Sequence, residues 1–518
     1  MNNLAIHPHD KNFVEEKLRP LPKPFRKKVL PDYISILTKK GRKEANHYLL
    51  DIEQSIESAV VHQLSLNALN LSESDLKRLA ELKAKKCMEI WQSINSEGLE
   101  IPYKRILSYI QRNGIEPSSL REEPTENDYL SLIRRALQSS WWLRNLRRVQ
   151  SRDIEITARE LNLVSKSKDI YVSSLNVNRR KKQKKEQQAF LENMVATNEL
   201  DEQFTLSELK ETSISNPSNR KSEFMVRARG FENIAKQHGH VALFLTMTCP
   251  SKYHRAYSQS GDPIPNWNGA TPIDGQEYLC RTWSRIRASL DRGEIFPYGF
   301  RIAEPHHDGT PHWHLLLFVP PEDKTILLET MKRYCFEEDG DEKGAAEHRF
   351  EIVDIDPNKG SATGYIAKYI SKNIDGEDLD SGVYGEDPIV AAERVQTWAS
   401  VWSIRQFQQI GGAQISPWRE FRRLEAVEEA GSVFETARIA ADNSDWAGYQ
   451  EANGGVICPR RDRPFQLVYE NQVDTTTGEL RQNQYEELSA PKIFGIKHGD
   501  TVINTRPHTW KISKALKG

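Results

Sequence analysis

Two short stretches of this chain carry side chains whose types and spacing could do chemistry. In residues 304–318, EPHHDGTPHWHLLLF, the histidines His306, His307, His312 and His314 stand ahead of an apolar run. Residues two apart in a strand point to one face, so His312 and His314 present two imidazoles side by side while Trp313 turns to the other face. Two neutral imidazoles make a borderline metal site, which commonly takes a third ligand from a neighbouring element. The HHDGTP turn folds the preceding strand back and brings Glu304 to the pair as an oxygen donor. His306 and His307 fall in the turn, with His306 a reserve ligand. A bare His-x-His pair is often just a core or surface pair. The companion acid across the turn is what makes a metal site of it, with positions left open for phosphate oxygens and water. No H-E-x-x-H occurs and no cysteine pair lies nearby, which argues against a zinc protease or a structural zinc finger.

The second stretch is GYIAKYISKNI, residues 364–374. Tyr365 and Tyr369 are four apart and so project from one helix face, and Lys368 and Lys372 follow each tyrosine at the same interval. An amphipathic helix with packed rings and solvated lysines would show the same spacing. Beside a metal the pattern acquires chemistry. A phenol, with its ordinary pKa of about 10, is a poor nucleophile until a cation lowers the cost of its phenolate. It is also a competent leaving group, so a tyrosine–phosphate ester keeps phosphodiester bond energy for rejoining. A metal polarises the phosphate and a nearby lysine adds to that stabilisation. Two nucleophiles on one face can act in turn. The expected cofactor is a metal ion.

The elements that must position these groups are readable as local texture. HVALFLTMTCP is a continuous apolar and β-branched run, the mark of a buried central strand. A helix capped near Asp274 follows, then a strand in PYGFRIAE, the Gly/Pro turn, and a strand in HWHLLLFVP. TILLETMKRYCF reads as a helix, HRFEIVDI as a strand, and SATGYIAKYISKNI as a helix with a Ser/Thr start. Strands and helices mixed around a hairpin indicate an α+β class. Upstream, residues 1–125 read as a helical region of unknown role, with a serine cap in NLSESDLKRL. Residues 126–230 read as a basic helical segment, in which Trp141, Trp142 and Leu146 form a buried stripe. ITARELNLVSKSKDIYVSS is a weak helix-turn-helix pattern. Beyond about 430 the chain is less patterned and is expected to be a peripheral extension, residues 431–518.

Composition bounds the class. The chain has 518 residues, 38% hydrophobic and 28% charged, the balance of a soluble protein with room for several domains. No run approaches the 18 to 20 apolar residues of a membrane span, and the N-terminus lacks a signal-peptide pattern. Five scattered cysteines argue against a disulfide framework and fit a reducing cytoplasm. The net charge is only −1, yet residues 134–186 hold fifteen Lys/Arg against five Asp/Glu. A local basic field of that kind is the footprint of polyanion binding. Arg179, Arg180, Lys181 and Lys182 are its densest part.

Taken together, HVALFLTMTCP, EPHHDGTPHWHLLLF and YIAKY resemble the motifs of the HUH endonuclease superfamily, which cuts and rejoins single-stranded DNA. RARGFENIAKQHGHVALFLTMTCPSKYH, WNGATP, RTWSRIRASL and WASVWSIRQFQQIGGAQISPWREFRRL resemble, more closely, the replication gene A protein family of tailed phages and related prophages. The resemblance covers about residues 130–425. It implies an HUH endonuclease domain over 231–430, a central antiparallel sheet flanked by helices. It implies an initiator of rolling-circle replication that nicks one strand at the phage origin, stays joined to the 5′ phosphate and leaves a 3′-hydroxyl. His312 and His314 would be ligands of a divalent metal, Mg²⁺ or Mn²⁺, Glu304 the third, and Tyr365 and Tyr369 the alternating nucleophiles, with Tyr369 favoured to cut first. Lys368 and Lys372 would contact phosphate. Arg281 and Arg285 would line the single-strand path, and Trp267 or Trp283 would stack bases unless they are core residues. Partners would be single-stranded and duplex origin DNA and, because no G-x-x-x-x-G-K-[ST] occurs, a host helicase and replication machinery, all in the cytoplasm of the bacterial host. A conjugative relaxase, a single-strand transposase or a non-catalytic origin-binding protein with a structural metal are the alternatives.

Overall fold

Strand-forming runs and amphipathic helices sort into two compact units in the computed structural model, which describes residues 6–59, 66–117, 121–356, 358, 360–377, 380–426, 431–474 and 477–515. One unit comprises Met1–Val164, Ser173–Asn176 and Gln472–Ala490; the other comprises Ser165–Val172, Val177–Asn471 and Pro491–Gly518. The protein is α+β.

The first unit is helical. Helix Glu73–Ile94 starts where the sequence places its cap: the Ser72 side chain accepts from the Asp75 amide, and Asp75 returns the bond, which ties up two otherwise orphaned amides. Its apolar face, with Leu76, Ala80, Ala84 and Cys87, packs in one core with Ile106, Ile110, Trp142 and Leu146. The Trp142 indole is fully buried and donates to the Ala136 carbonyl at 2.8 Å. The predicted Trp141–Trp142–Leu146 stripe is therefore core. The helix-turn-helix reading does not survive. Helix Ser139–Glu160 and helix Ser174–Glu192 are separated by residues 161–173, far longer than a turn of three or four residues. The second helix is instead tethered at its start. Buried Glu155 accepts from the Ser173 amide (2.9 Å) and hydroxyl (2.8 Å) and from Asn176 Nδ2 (2.8 Å).

Asp153, about two turns from the end of helix Ser139–Glu160, is 1% exposed, and its Oδ1 has no hydrogen-bond partner among the described residues. Burial pushes its carboxyl up to about 7, against an ordinary 3.8, with Arg152 opposing the shift. Below pH 3.8 the acid is protonated folded or unfolded. Between 3.8 and 7 the unfolded chain ionises first, so stability falls as pH rises, by roughly 1.4 kcal/mol per pH unit and about 4 kcal/mol in all. Above 7 the loss is complete. Asp153→Asn is therefore expected to raise the unfolding free energy of this unit more at pH 8 than at pH 5. Denaturant titrations at the two pH values would contradict this if the increments were equal.

The second unit is built on a five-stranded antiparallel sheet. Its strands are β1 (Val241–Thr248), β2 (Tyr298–Pro305), β3 (Pro311–Val319), β4 (Phe350–Asp354) and β5 (Phe407–Ile410), in the order β4-β1-β3-β2-β5. Every residue of β2 and β3 is buried, which explains their near-continuous apolar sequence. Register is set by the five-residue loop between β2 and β3, where Glu304 pairs with His312 and Ile302 with His314. On the other side of β3, Thr248 pairs with His312 and Thr246 with His314. In the loop the His306 amide donates to the Thr310 carbonyl at 2.8 Å, and Gly309 takes the positive φ of 84° that closes the turn.

Among the helices of this unit are α1 (Ser174–Glu192, whose first residues to Asn176 belong to the first unit), α2 (Pro217–His238), α3 (Pro272–Arg292), α4 (Lys324–Cys335), α5 (Ala362–Ile374) and α6 (Pro388–Trp402). Phe231 and Ile234 of α2 and Ile366, Ile370 and Ile374 of α5 share a core with Phe244, Phe300, Ile302, Leu316 and Phe318 on one sheet face. Fully burying each such side chain contributes roughly 1.5–3 kcal/mol. Trp313, on the opposite face, donates to Gln276 of α3 at 3.0 Å. The α3 cap forms as the sequence suggests, Thr271 and Asp274 making a reciprocal box.

Two regions differ from expectation. Phe434, Ala437, Trp446, Tyr449, Phe465 and Ile496, from the segment expected to be peripheral, enter the same core as Phe231 and Trp418. The basic segment is not all helical, because Met194–Asn198 is a strand between Gln203–Thr205 and the distant Trp510–Lys514. Among the described residues no helix is long and apolar enough to cross a membrane.

Candidate active site

His312 and His314 lie on the α2/α5 face of β3, and their Nε2 atoms are 3.0 Å apart. Glu304 Oε2, from the paired strand, is 3.7 Å from His314 Nε2 and 4.0 Å from His312 Nε2. The ligand atoms of all three lie within 4.8 Å of one another. Glu304 is fully buried, and the histidines are 9% and 8% exposed. Burial holds His312 well below the ordinary histidine range and brings His314 down to about 4. Both rings are thus neutral near pH 7, the form that offers a lone pair to a cation.

The surroundings accommodate that lone pair at Nε2. Thr246 Oγ1, opposite His314 in register, is 3.1 Å from its Nδ1. With Nδ1 carrying the proton, Nε2 faces the glutamate as a donor to metal, the outer-shell arrangement usual at histidine-ligated sites. Two converging nitrogens and a buried carboxylate, all deprotonated, fit a divalent ion.

Glu304 has partners of its own on α5. Burial would raise its pKa, but the Lys372 ammonium 2.6 Å from Oε2, with His314 and Asn373 beside it, holds it below the ordinary value. Asn373 donates through Nδ2 to Glu304 Oε1 and to the Tyr369 carbonyl, and its Oδ1 accepts from Gln406 Nε2 at 3.1 Å. One buried amide therefore joins the carboxylate, the tyrosine helix and the segment leading into β5.

The α5 helix begins at Ser361, whose side chain accepts from the Gly364 amide. At its start the Thr363 amide donates to buried Glu232 of α2 at 3.0 Å. Ile366 and Ile370 anchor its apolar face, which sets Tyr369 against His314. The Tyr369 ring lies 4.2 Å from the His314 ring and 4.9 Å from Phe244. Burial, with Glu304 and Glu351 nearby, pushes its phenol up to about 12. Tyr365, one turn earlier, is 39% exposed and 6.2 Å from Phe244, ring to ring. Lys368 is exposed.

The structure brings Glu304, His312, His314, Tyr369 and Lys372 together, with Tyr365 and Lys368 on the same helix. His306 packs its ring, tilted by 33°, 4.1 Å from that of His312, but it is outside the three-residue donor set. Other predicted residues stand apart. Arg281 and Arg285 sit on α3, against the other face of the sheet. Arg285 is ion-paired with Glu337, and Trp283 is core. The Trp267 ring is half-buried under the Arg255 guanidinium, 4.8 Å away. On α1, Arg180 donates to Ser400 (2.6 Å) and Lys181 pairs with Glu393 (2.8 Å). Lys182 faces Glu186 at 3.9 Å. Arg179 is half-buried beside them.

Sequence reasoning missed Thr246, Asn373 and Gln406. Asn373 had a signal, since it is four residues after Tyr369 and so lies on the tyrosine face. Thr246 and Gln406 depend on register between strands far apart in the chain and left none.

Residues 53–377 match the family described as bacteriophage replication gene A protein, so the match begins well upstream of the motif-bearing segment. The chain is similar to the replication gene A protein of Escherichia phage 186, 40% identical over 397 residues, 75% of this chain and 56% of the relative. It is 39% identical over 391 residues to the replication protein of Haemophilus phage HP1, 74% of this chain and 49% of the relative. A probable replication endonuclease from a prophage-like region of Salmonella typhi is 35% identical over 355 residues, 65% of this chain and 44% of the relative. The chain thus spans about half the length of these curated relatives. No solved structure matches.

Proposed function

The chain belongs to the bacteriophage replication gene A protein family, and on that premise we propose that it is a phage or prophage replication initiator, an HUH-type endonuclease that nicks one DNA strand at the origin through tyrosine. The observation that carries this reading is the Tyr369 ring packed 4.2 Å from His314, beside three donors that converge on one point. The phenol oxygen attacks the scissile phosphorus, a tyrosine–phosphate bond forms and the bond to the 3′ oxygen breaks. The phenol proton is lost and the leaving oxygen takes one up, so the products are a 5′-phosphotyrosine and a free 3′-hydroxyl. Rejoining is the reverse attack.

A divalent cation, Mg²⁺ or Mn²⁺, held by His312, His314 and Glu304 would polarise the phosphate and offset its charge. The chain's own residues do the rest. Thr246 orients the His314 ring, Asn373 and Lys372 hold Glu304, and Ile366 and Ile370 fix the helix that aims the phenol. Lys368, exposed one turn before Lys372, is placed to meet backbone phosphate. Tyr365 is the second nucleophile, on the same face but more open to a strand arriving from solvent.

Origin DNA, single-stranded and duplex, is the substrate. Strand separation is assigned to a host helicase, and the free 3′-hydroxyl to the host replication machinery. Incubation with an end-labelled single-stranded origin oligonucleotide and Mg²⁺ or Mn²⁺ is expected to give an SDS-resistant protein–DNA adduct. A non-catalytic origin-binding protein would retard the oligonucleotide in a native gel and give no adduct.

A further inference from the structure

A groove of about 860 Å³ lies at the far end of β2 from Glu304. Its walls are the last turns of α3, the β2 entry at Ile295, Phe296 and Pro297, the edge strand β5, and residues 456–463. Two features set it apart. Three arginines line it, Arg287, Arg460 and Arg463, and among the described residues none has a carboxylate in ion-pair range. Arg463 is only 5% exposed and donates through Nη1 to the carbonyls of Asn453 (3.0 Å) and Gly455 (3.1 Å). A buried guanidinium answered only by carbonyls is stabilised by an incoming anion. Asp291 is the one acid in the lining. Between the charges lie exposed apolar surfaces, Phe296 and Ile457, 42% and 51% open to solvent, with Gln408 and Gln414 as hydrogen-bonding groups.

Cations beside an open aromatic ring, with neutral amides between them, suit a nucleotide: phosphate on the arginines, base against Phe296, base edges on the glutamines. Duplex DNA hides its base faces and would leave Phe296 unused. We propose that this groove is a binding subsite for an unpaired DNA strand, which it holds several nucleotides from the scissile phosphate. The separation follows from the strand, since Pro297 and Glu304 are seven residues apart at about 3.3 Å per residue, roughly 23 Å. The proposal rests on the reading of this protein as an origin endonuclease for the strand's source, but the groove's own chemistry needs only a single strand.

The test uses the full chain with Arg287→Glu and Arg460→Glu, alone and together, and Phe296→Ala. All three positions are exposed, so the variants should melt like the parent. Fluorescence anisotropy with a labelled single-stranded thymidine 20-mer, read across salt concentrations, is expected to show at least tenfold weaker binding for the double variant and a shallower salt slope. Phe296→Ala should weaken single-strand binding severalfold with the slope unchanged. A labelled duplex of the same length should be little affected. Single-strand binding and slope equal to the parent in the double variant would overturn the proposal, as would an equal loss on duplex. Failure of the endonuclease reading shows differently, as absence of covalent adduct in the parent protein while these binding differences persist.

Discussion

Replacing His312 and His314 together by alanine is expected to abolish cleavage of a single-stranded origin oligonucleotide, a loss of at least about 10³-fold, while duplex binding stays within about twofold. The asymmetry follows from how the site is held. Both rings are neutral, with His314 brought down to about 4 by burial, so their contribution is two lone pairs and not charge. Removing them leaves one carboxylate of a three-donor set. The remaining carboxylate does not become an isolated buried charge, because Lys372 sits 2.6 Å away and Asn373 holds its other oxygen. The sheet should therefore survive, since His312 and His314 lie at the end of β3 and the core is carried by Leu315, Leu316, Leu317 and Phe318. Full cleavage by the double variant would sink the metal assignment. A large drop in melting temperature would show that the rings are packing residues first.

Replacing one tyrosine by phenylalanine is expected to leave some single cleavage while strand transfer falls by about 10²-fold or more, and replacing both should remove the covalent adduct altogether. The substitution is conservative where it matters structurally. Tyr369 packs its ring on His314 and Phe244, and phenylalanine keeps those contacts. Tyr365 is 39% exposed, so the lost hydroxyl leaves no buried gap. What is lost is the oxygen. With the Tyr369 phenol pushed up to about 12, only about 10⁻⁴ of it is phenolate at pH 8, so the attacking group depends on stabilisation by its surroundings and tolerates no substitute. Strand transfer needs a second attack while the first ester is still stored, hence its sensitivity to either tyrosine. Unchanged strand transfer after Tyr365→Phe would remove that residue's role as second nucleophile.

The parts of the site that were legible in the sequence are those set by local periodicity. Alternation in a strand places His312 and His314 together, a five-residue loop returns Glu304 to them, and a four-residue interval stacks Tyr365 over Tyr369. Each needs only a few consecutive residues. The outer ring of the site was not legible. Thr246 reaches His314 only because β1 pairs with β3 in one particular register, and Gln406 reaches Asn373 only because β5 closes the sheet edge beside β2. Lys372 was read as a phosphate contact from spacing, and its pairing with Glu304 requires knowing where α5 crosses β2.

Long-range pairing explains the fold differences as well. The segment beyond 430 has short, mixed elements that look peripheral in isolation, but Phe434, Trp446 and Tyr449 have a core to enter once α2 and Trp418 are in place. Met194–Asn198 pairs on one side with nearby Gln203–Thr205, and its other edge is covered because Trp510–Lys514 comes back to it from far along the chain. Nothing near residue 194 announces that.

The most direct measurement of the central claim is to locate the covalent bond. After reaction with an origin oligonucleotide, nuclease trimming and proteolysis, mass spectrometry of the fragment spanning residues 361–374 should show a nucleotide-phosphate addition on Tyr369 or Tyr365, with a free 3′-hydroxyl on the released DNA. Cleaved DNA carrying a free 5′ phosphate, with that fragment unmodified at every time point, would contradict it.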